Sequence, residues 1–471
     1  MPARSNTFQR GYTTLLVIVF GGIFTLTVGA LAGRVMVEQS AERVRMHKAQ
    51  ARTIAEAGLE YYKWYLAHHP NDLTHGTGIP GPYVLPLEDP ETGPVGTFSL
   101  SITGNEQCGA LVSVDVESIG RPSEDPSVRA TVTGRYMRPS VAEYSYIVND
   151  NVWAGPDRTI LGRYHANGGV RMDGTSNSLV TSSQEEVACF GTGCSPGEMK
   201  PGVFGDGPNQ ELWEYPVPQF DFGSIEQDLH TLQTLANQQG ISLSPNGQPD
   251  SERRGWRLIF RENGAVDIYR VDNATGVLNS ATGLQDFYIP SNVRFYRTET
   301  IPPDCGLIFV RHRVWVSGTV SGKVTLVAAE PNAPGRRHSI IIEDNLRYAT
   351  GSGADGLTLI AQDGVHIAPH SPSDLTIEAI AVAQGGNFGR NLYICNTSPY
   401  DKKDLLTMRG SVVSNLRGGT KWLYGGGGCG TENWSGYNER VNAYDRGQLI
   451  SPPPFTPTAS PDFRFIEWRE K

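Results

Sequence analysis

Positive charge is scarce in this chain: 40 lysines and arginines stand against 49 acidic residues, a formal net charge of −9 over 471 residues. A protein that holds nucleic acid generally carries a basic footprint, so no general nucleic-acid binding is expected. Long apolar runs are equally rare. One stands out, residues 11 to 33 (GYTTLLVIVFGGIFTLTVGALAG), uncharged and bracketed by Arg10 and Arg34. Clustered metal ligands are missing: the six cysteines form no CxxC pair and no group of histidines accompanies them, which speaks against a zinc site. Neither a metal nor another cofactor is expected. Long helical patterns are lacking beyond the N-terminal segment, whereas glycine (54) and proline (31) are abundant. The bulk of the chain therefore reads as turn-rich and mainly β.

The apolar run has the length a helix needs to cross a bilayer core, about 20 residues. Arg4 and Arg10 before it hold the first ten residues on the cytoplasmic side, which puts everything after Arg34 outside the cytoplasm. The helical pattern does not stop at Arg34. Val37, Ala41, Val44, Ala51, Ala55, Leu59, Tyr62 and Leu66 recur at helical spacing, with charged residues such as Glu38, Glu42, Arg45 and Arg52 between them. One helix from Tyr12 to about His69 would run roughly 85 Å.

The leader ending Gln9-Arg10-Gly11 directly before the apolar run resembles the processing site of type IV prepilins. The resemblance implies a cut after Gly11 by a prepilin peptidase, with Tyr12 as the new N-terminus, so that Arg10, Gly11 and Tyr12 form the processing site. An ordinary secretory signal, cut after the apolar run near Gly29, Ala30, Ala32 and Gly33, and an uncleaved anchor are the alternatives. Residues 55–62, AEAGLEYY, also resemble the same part of minor pilins. Major pilins usually carry a glutamate at the fifth mature position, where it neutralises a neighbour's terminal amine; here that position is Leu16. The departure points to a minor subunit placed where the contact is not needed, at a filament tip, with Leu15, Leu16 and Val19 in the surface that meets other pilins.

The cysteines all fall in the outside portion, and an even count in an oxidising compartment favours disulfides. Cys189 and Cys194 enclose only four residues and are paired first. Cys108, Cys305, Cys395 and Cys429 allow three connectivities, of which Cys395 with Cys429 is favoured.

The expected layout is a leader (1–11), the membrane and amphipathic helix (12–69), a small antiparallel β subdomain (70–140) with strands near 97–103, 111–119 and 128–137, a first β-solenoid segment (141–190), an α+β insertion (191–300), a β-solenoid (301–424) and a C-terminal cap (425–471). In the insertion, residues 221–241 form an amphipathic helix, a lid or plug. A hairpin follows from Trp256–Phe260 to Ala265–Val271 around Asn263-Gly264. The solenoid reading rests on short β packets, several starting 16 to 18 residues apart and each followed by a Gly, Asn or Asp turn such as Glu343-Asp344-Asn345 or Gln362-Asp363-Gly364. With the leader, their order and the ending Trp468-Arg469-Glu470 resemble large, PilX-type type IV pilin-like proteins whose head is a parallel β-solenoid.

Two functions compete. One is a minor pilin-like subunit, held in the inner membrane before assembly and displayed on a pilus or the cell surface afterwards, which primes assembly and presents its head to an unknown surface ligand for adhesion or recognition. The other is a membrane-tethered β-solenoid enzyme or binding module for surface glycans. No catalytic residue is assigned. His165, in the turn His165-Ala166-Asn167-Gly168, reads as a turn stabiliser; Asp344, Asp355, Asp363 and Asp374 read as turn residues; His366 and His370 flank a Pro/Ser loop. The string Gly425 to Gly428 lacks the Lys-Ser/Thr ending of a phosphate loop. The protein is expected not to be an enzyme.

Overall fold

The computed structural model describes residues 9–69, 72–225, 227–247, 251–333, 338–351, 353–394, 400–424, 433–460 and 462–471. The chain is mainly β, 46% strand and 19% helix, and divides into two compact units: residues 1–104, 114–136 and 467–471 form one, residues 105–113 and 137–466 the other.

The first unit is built on helix α1, Gln9–His68, 60 residues long and about 90 Å from end to end. Nothing within it breaks the backbone pattern, and Pro70 follows its last turn, where a proline disfavours continuation. Its apolar half is exposed in this unit. Burial begins only at Ala51 and continues through Ile54, Ala55, Leu59, Tyr62 and Leu66, the three-to-four spacing of one helical face. Val37 and Val44, which continue the same helical spacing, stay 67% and 56% exposed.

The surface that covers α1 is a five-stranded sheet in the order β1 (Tyr83–Asp89), β2 (Gly93–Gln107), β3 (Ala110–Pro122), β4 (Ala130–Met137), then strand Arg464–Glu470. β3 and β4 pair antiparallel, Val116 with Gly134 and Ser118 with Val132. Val114, Val116 and Ser118 are buried at alternate positions, as a sheet with one covered face requires. Two of the five strands differ from the sequence reading. β1 precedes the first of the three expected strands, and Trp468-Arg469-Glu470, expected in a C-terminal cap, lies in the strand beyond β4, where Lys471 N donates to Thr131 O at 3.0 Å.

The second unit is a stack of parallel strands. One column of facing residues runs Ile241, Ile308, Leu326, Leu359, Ala381, Val412, Tyr146, Tyr164, Val180, Trp213, each paired in parallel register with the next. Each rung covers its apolar face with its neighbours, so the column forms one continuous core. The chain order is not the stacking order. The polypeptide enters mid-stack at Tyr144–Val148, climbs to Trp213–Glu214, crosses to the far end and returns rung by rung from Ile241 to the strand Lys402–Ser414, which pairs with Tyr144–Val148.

The crossing contains the helix Leu229–Gln239, capped by Asp228, which accepts from His230 N at 3.0 Å and Thr231 N at 3.3 Å. Leu232 and Ala236 pack with Leu307, Phe309 and Val327, on the flank of the ladder opposite the column described above. The helix is thus a side cover rather than a lid or plug. Gly255–Phe260 and Ala265–Leu278 form the expected hairpin, Phe260 opposite Val266, and Gly255–Phe260 also pairs in parallel with Val314–Val320. One expected turn is absent: Glu343-Asp344-Asn345 lies inside the strand Ile340–Tyr348, because the pairing with Val314–Val320 continues past an irregularity at that point.

Candidate functional site

The apolar half of α1 is the first candidate. Tyr12 to His68 contains a segment long and apolar enough to cross a membrane, with mean hydropathy 2.4 and none of it buried. Its few hydroxyls bond back along the helix: Thr25 Oγ1 donates to Gly21 O at 2.8 Å and Thr27 Oγ1 to Ile23 O at 3.0 Å. Such back-bonding satisfies the Thr25 and Thr27 hydroxyls without water. Arg10 and Gly11 lie in the first turns of α1. Tyr12, Leu15 and Val19 are 72%, 63% and 50% exposed, and Leu16 is 38% exposed. Leu15 and Val19, one turn apart, share a face of the helix.

The outer half of α1 is held by an unusually close approach to the sheet. A Cβ added to Gly120 would lie 2.1 Å from Ala51 O and 2.5 Å from Ala55 N; one added to Gly58 would lie 2.3 Å from Ser118 Oγ. Glycine at position 120 lets sheet and helix backbones touch, and glycine at position 58 lets the helix backbone meet the Ser118 and Phe98 side chains. At the end of α1, Asp72 accepts from Tyr65 Oη at 2.5 Å, Thr74 N at 2.8 Å and Gly76 N at 2.6 Å. These bonds, the Tyr65 hydroxyl first, hold the Asp72 carboxyl far below the usual carboxylate range.

In the second unit the His165–Gly168 turn is a locked corner. His165 is 2% exposed, its Nδ1 2.8 Å from Thr181 Oγ1 and its Nε2 3.0 Å from Asn167 Oδ1, and burial pushes its pKa down. Asn167 Nδ2 donates to Asn149 Oδ1 at 2.7 Å and Asn149 Nδ2 donates to Asn415 Oδ1 at 2.9 Å. Three asparagines at one corner of successive rungs therefore form an amide ladder. Sequence reading picked out one of the three, because Asn415 reaches the ladder from far along the chain.

The remaining sites are dispersed. Asp355 caps a turn, accepting from Gly322 N at 2.7 Å and Thr350 N at 2.7 Å. Asp363 accepts from Ser339 Oγ at 2.9 Å. Asp374 opens the strand Asp374–Ala383, and Asp344 sits exposed within a strand rather than in a turn. His366 stacks on Tyr288 with ring centroids 5.3 Å apart; His370 Nε2 lies 3.9 Å from Glu343 Oε2. Glu343 also accepts from Arg257 Nε at 2.5 Å, and burial raises its carboxyl pKa against the pull of that guanidinium. Among the described residues no three His, Cys, Asp or Glu side chains group as metal ligands.

Cys189 and Cys194 are bonded, as are Cys108 and Cys305. Cys395 and Cys429, the favoured second pair, and Gly425 to Gly428 lie outside the described residues.

No protein-family model matches the chain, and no curated protein does. Among solved structures it is similar to a competence-associated pilin. That structure is the competence-associated pilin ComZ from Thermus thermophilus, 13% identical, with 90% of this chain and 97% of that chain covered at a TM-score of 0.28. A likeness at this score carries no argument about what this chain does.

Proposed function

We propose that the chain is a minor type IV pilin-like subunit, anchored by α1 in the inner membrane and then carried into a filament, where its large head serves adhesion or surface recognition from the tip. The observation that carries the reading is the division of α1. One continuous helix has an apolar, wholly exposed half and an outer half seated by Gly58 and Gly120 on a small antiparallel sheet. A helix that must serve first lipid and then other helices needs an apolar half free of its own head, and a rigid seat for the other half. The parallel stack, read as a β-solenoid, supplies a large outer surface without demanding a further membrane contact. The locked His165 corner supports the reading of that histidine as a turn stabiliser.

The processing site is tested by mass spectrometry of membrane-extracted protein. A mature N-terminus at Tyr12, lost in a Gly11→Leu variant, is the expected result. A chain that retains Met1 in assembled material overturns the pilin assignment, and a terminus near Gly33 selects secretory cleavage instead. Immunolabelling of filaments then reads position: sparse label at the ends is expected of a tip subunit.

A further inference from the structure

In the second unit an apolar column of the stack turns into a charged one. Leu375 faces Leu406, Leu406 faces Arg440, and Arg440 faces Arg158 in successive parallel rungs. Neighbouring strands lie about 4.8 Å apart, so two arginines occupy adjacent places where the preceding rungs carry leucine. Arg440 is 7% exposed and Arg158 9%. Beside them Lys421 Nζ approaches Asp157, and Arg440 Nη2 bonds the same carboxylate. Arg158 Nε donates to Asn442 Oδ1 at 3.2 Å, and its guanidinium lies over the rings of Tyr146 and Tyr164 at 5.0 and 5.6 Å.

The charge does not balance. Among the described residues Asp157 is the one carboxylate these three cations contact. Arg440 Nε is buried without a hydrogen-bond partner there. Burial, with Arg158 adding to it and Asp157 opposing, brings the Arg440 pKa down to about 10. Uncompensated buried charge is costly, and an apolar residue of similar size in either place would avoid the cost. The same three side chains line a cavity of about 70 Å³, together with Thr420, Asn442 and Tyr146. That space holds several water molecules or one small oxyanion.

We propose that this cavity is an anion-binding site for a single oxyanion group, a carboxylate, sulfate or phosphate, held by Arg158 and Arg440, with Lys421, whose Nζ bonds Asp157 and Asn438, adding positive charge beside them. Guanidinium donors suit such groups because their N–H bonds match a planar or tetrahedral oxyanion. Asp157 sets the positions of Arg440 and Lys421 through its two ion pairs. The group can arrive as a free ion or as a substituent of a surface glycan. The inference does not depend on α1 or on the filament reading.

The test titrates the full-length protein in detergent with sulfate, inorganic phosphate and glucuronate by calorimetry, against chloride at equal ionic strength. Saturable binding is expected, at least tenfold weaker in Lys421→Gln and in Arg440→Gln. Lys421 is the safer variant because Arg440 is nearly enclosed, and unchanged far-ultraviolet circular dichroism confirms its fold. An oligosaccharide ending in glucuronate separates the two sources: tenfold tighter binding than sulfate assigns the site to a glycan substituent, and equal binding assigns it to the free ion. Heats no larger than those of chloride, or wild-type affinity in a folded Lys421→Gln protein, overturn the site.

Discussion

Gly120 of β3 lies against Ala51 of α1 so closely that a single added carbon would stand 2.1 Å from the Ala51 carbonyl oxygen. The neighbour is backbone on a long helix, which cannot turn aside as a side chain can. The contact is therefore decided by the absence of a side chain on β3, and it fixes where the outer half of α1 meets its sheet.

Gly120→Val is accordingly expected to destabilise the first unit by about 3 kcal/mol or more, the cost of forcing an overpacked core apart. Chemical denaturation followed by circular dichroism measures it. Gly29→Ala is the control. Nothing lies within 4 Å of a Cβ at that position, so the substitution should leave stability unchanged or raise it slightly.

The two disulfides should differ in weight. Cys108 and Cys305 are 197 residues apart, and Cys189 and Cys194 only 5. In the chain-entropy account the longer loop stabilises by about 5 kcal/mol and the shorter by about 2 kcal/mol. Replacing Cys108 and Cys305 by serine should lower the unfolding midpoint of the second unit distinctly more than replacing Cys189 and Cys194. Equal shifts would mean that strain or residual structure outweighs loop length.

The legibility of this chain followed the range of its contacts. Local patterns were readable: the helix through His68, the hairpin around Gly264 and the short Cys189–Cys194 loop all depend on residues close in sequence. The parallel packets were readable because each rung repeats the same demand for cover on both sides. What escaped depended on distance. The strand Arg464–Glu470 joins a sheet whose other strands lie more than 300 residues earlier, and nothing in Trp468-Arg469-Glu470 names that partner. The stacking of Tyr146 on Val412 was hidden for the same reason, and with it the amide ladder from Asn415 to Asn167. Val37 and Val44 keep the helical spacing but stay exposed, so the spacing alone does not tell where along α1 the sheet begins to cover it.

Acid should weaken the second unit through two histidines. Burial first, with Arg313 adding to it and Asp363 opposing, pushes His366 down to about 4. Burial, then the Lys403 and Arg257 charges, with Asp344 opposing, does the same to His370. Each is neutral in the folded state where an unfolded chain, with a pKa near 6.5, takes up a proton. The stabilisation is therefore complete above pH 6.5 and is lost as pH falls through that value toward 4. Together they contribute on the order of a few kcal/mol. Unfolding midpoints measured between pH 7 and pH 4 should fall, and His366→Gln should flatten the fall. A profile identical to wild type would show that His366 is not held neutral.

Leu16 provides the sharpest test of the filament reading. It lies on the apolar half of α1, beside Leu15 and one position out of the face shared by Leu15 and Val19, and no described carboxylate precedes Glu38 on the helix. A glutamate placed there would need a cationic partner, because an unpaired carboxylate in an apolar surrounding costs several kcal/mol. A neighbouring subunit's terminal amine is such a partner in a filament shaft, and lipid offers none. Leu16→Glu is therefore expected to move the protein from sparse copies at filament ends toward the shaft, or to hold it in the membrane where no amine is within reach. Counting labelled subunits per filament for wild type and variant decides between these outcomes. Dense wild-type label along the whole shaft would instead refute the tip position, since Leu16 would then be compatible with every neighbour contact that a shaft subunit makes.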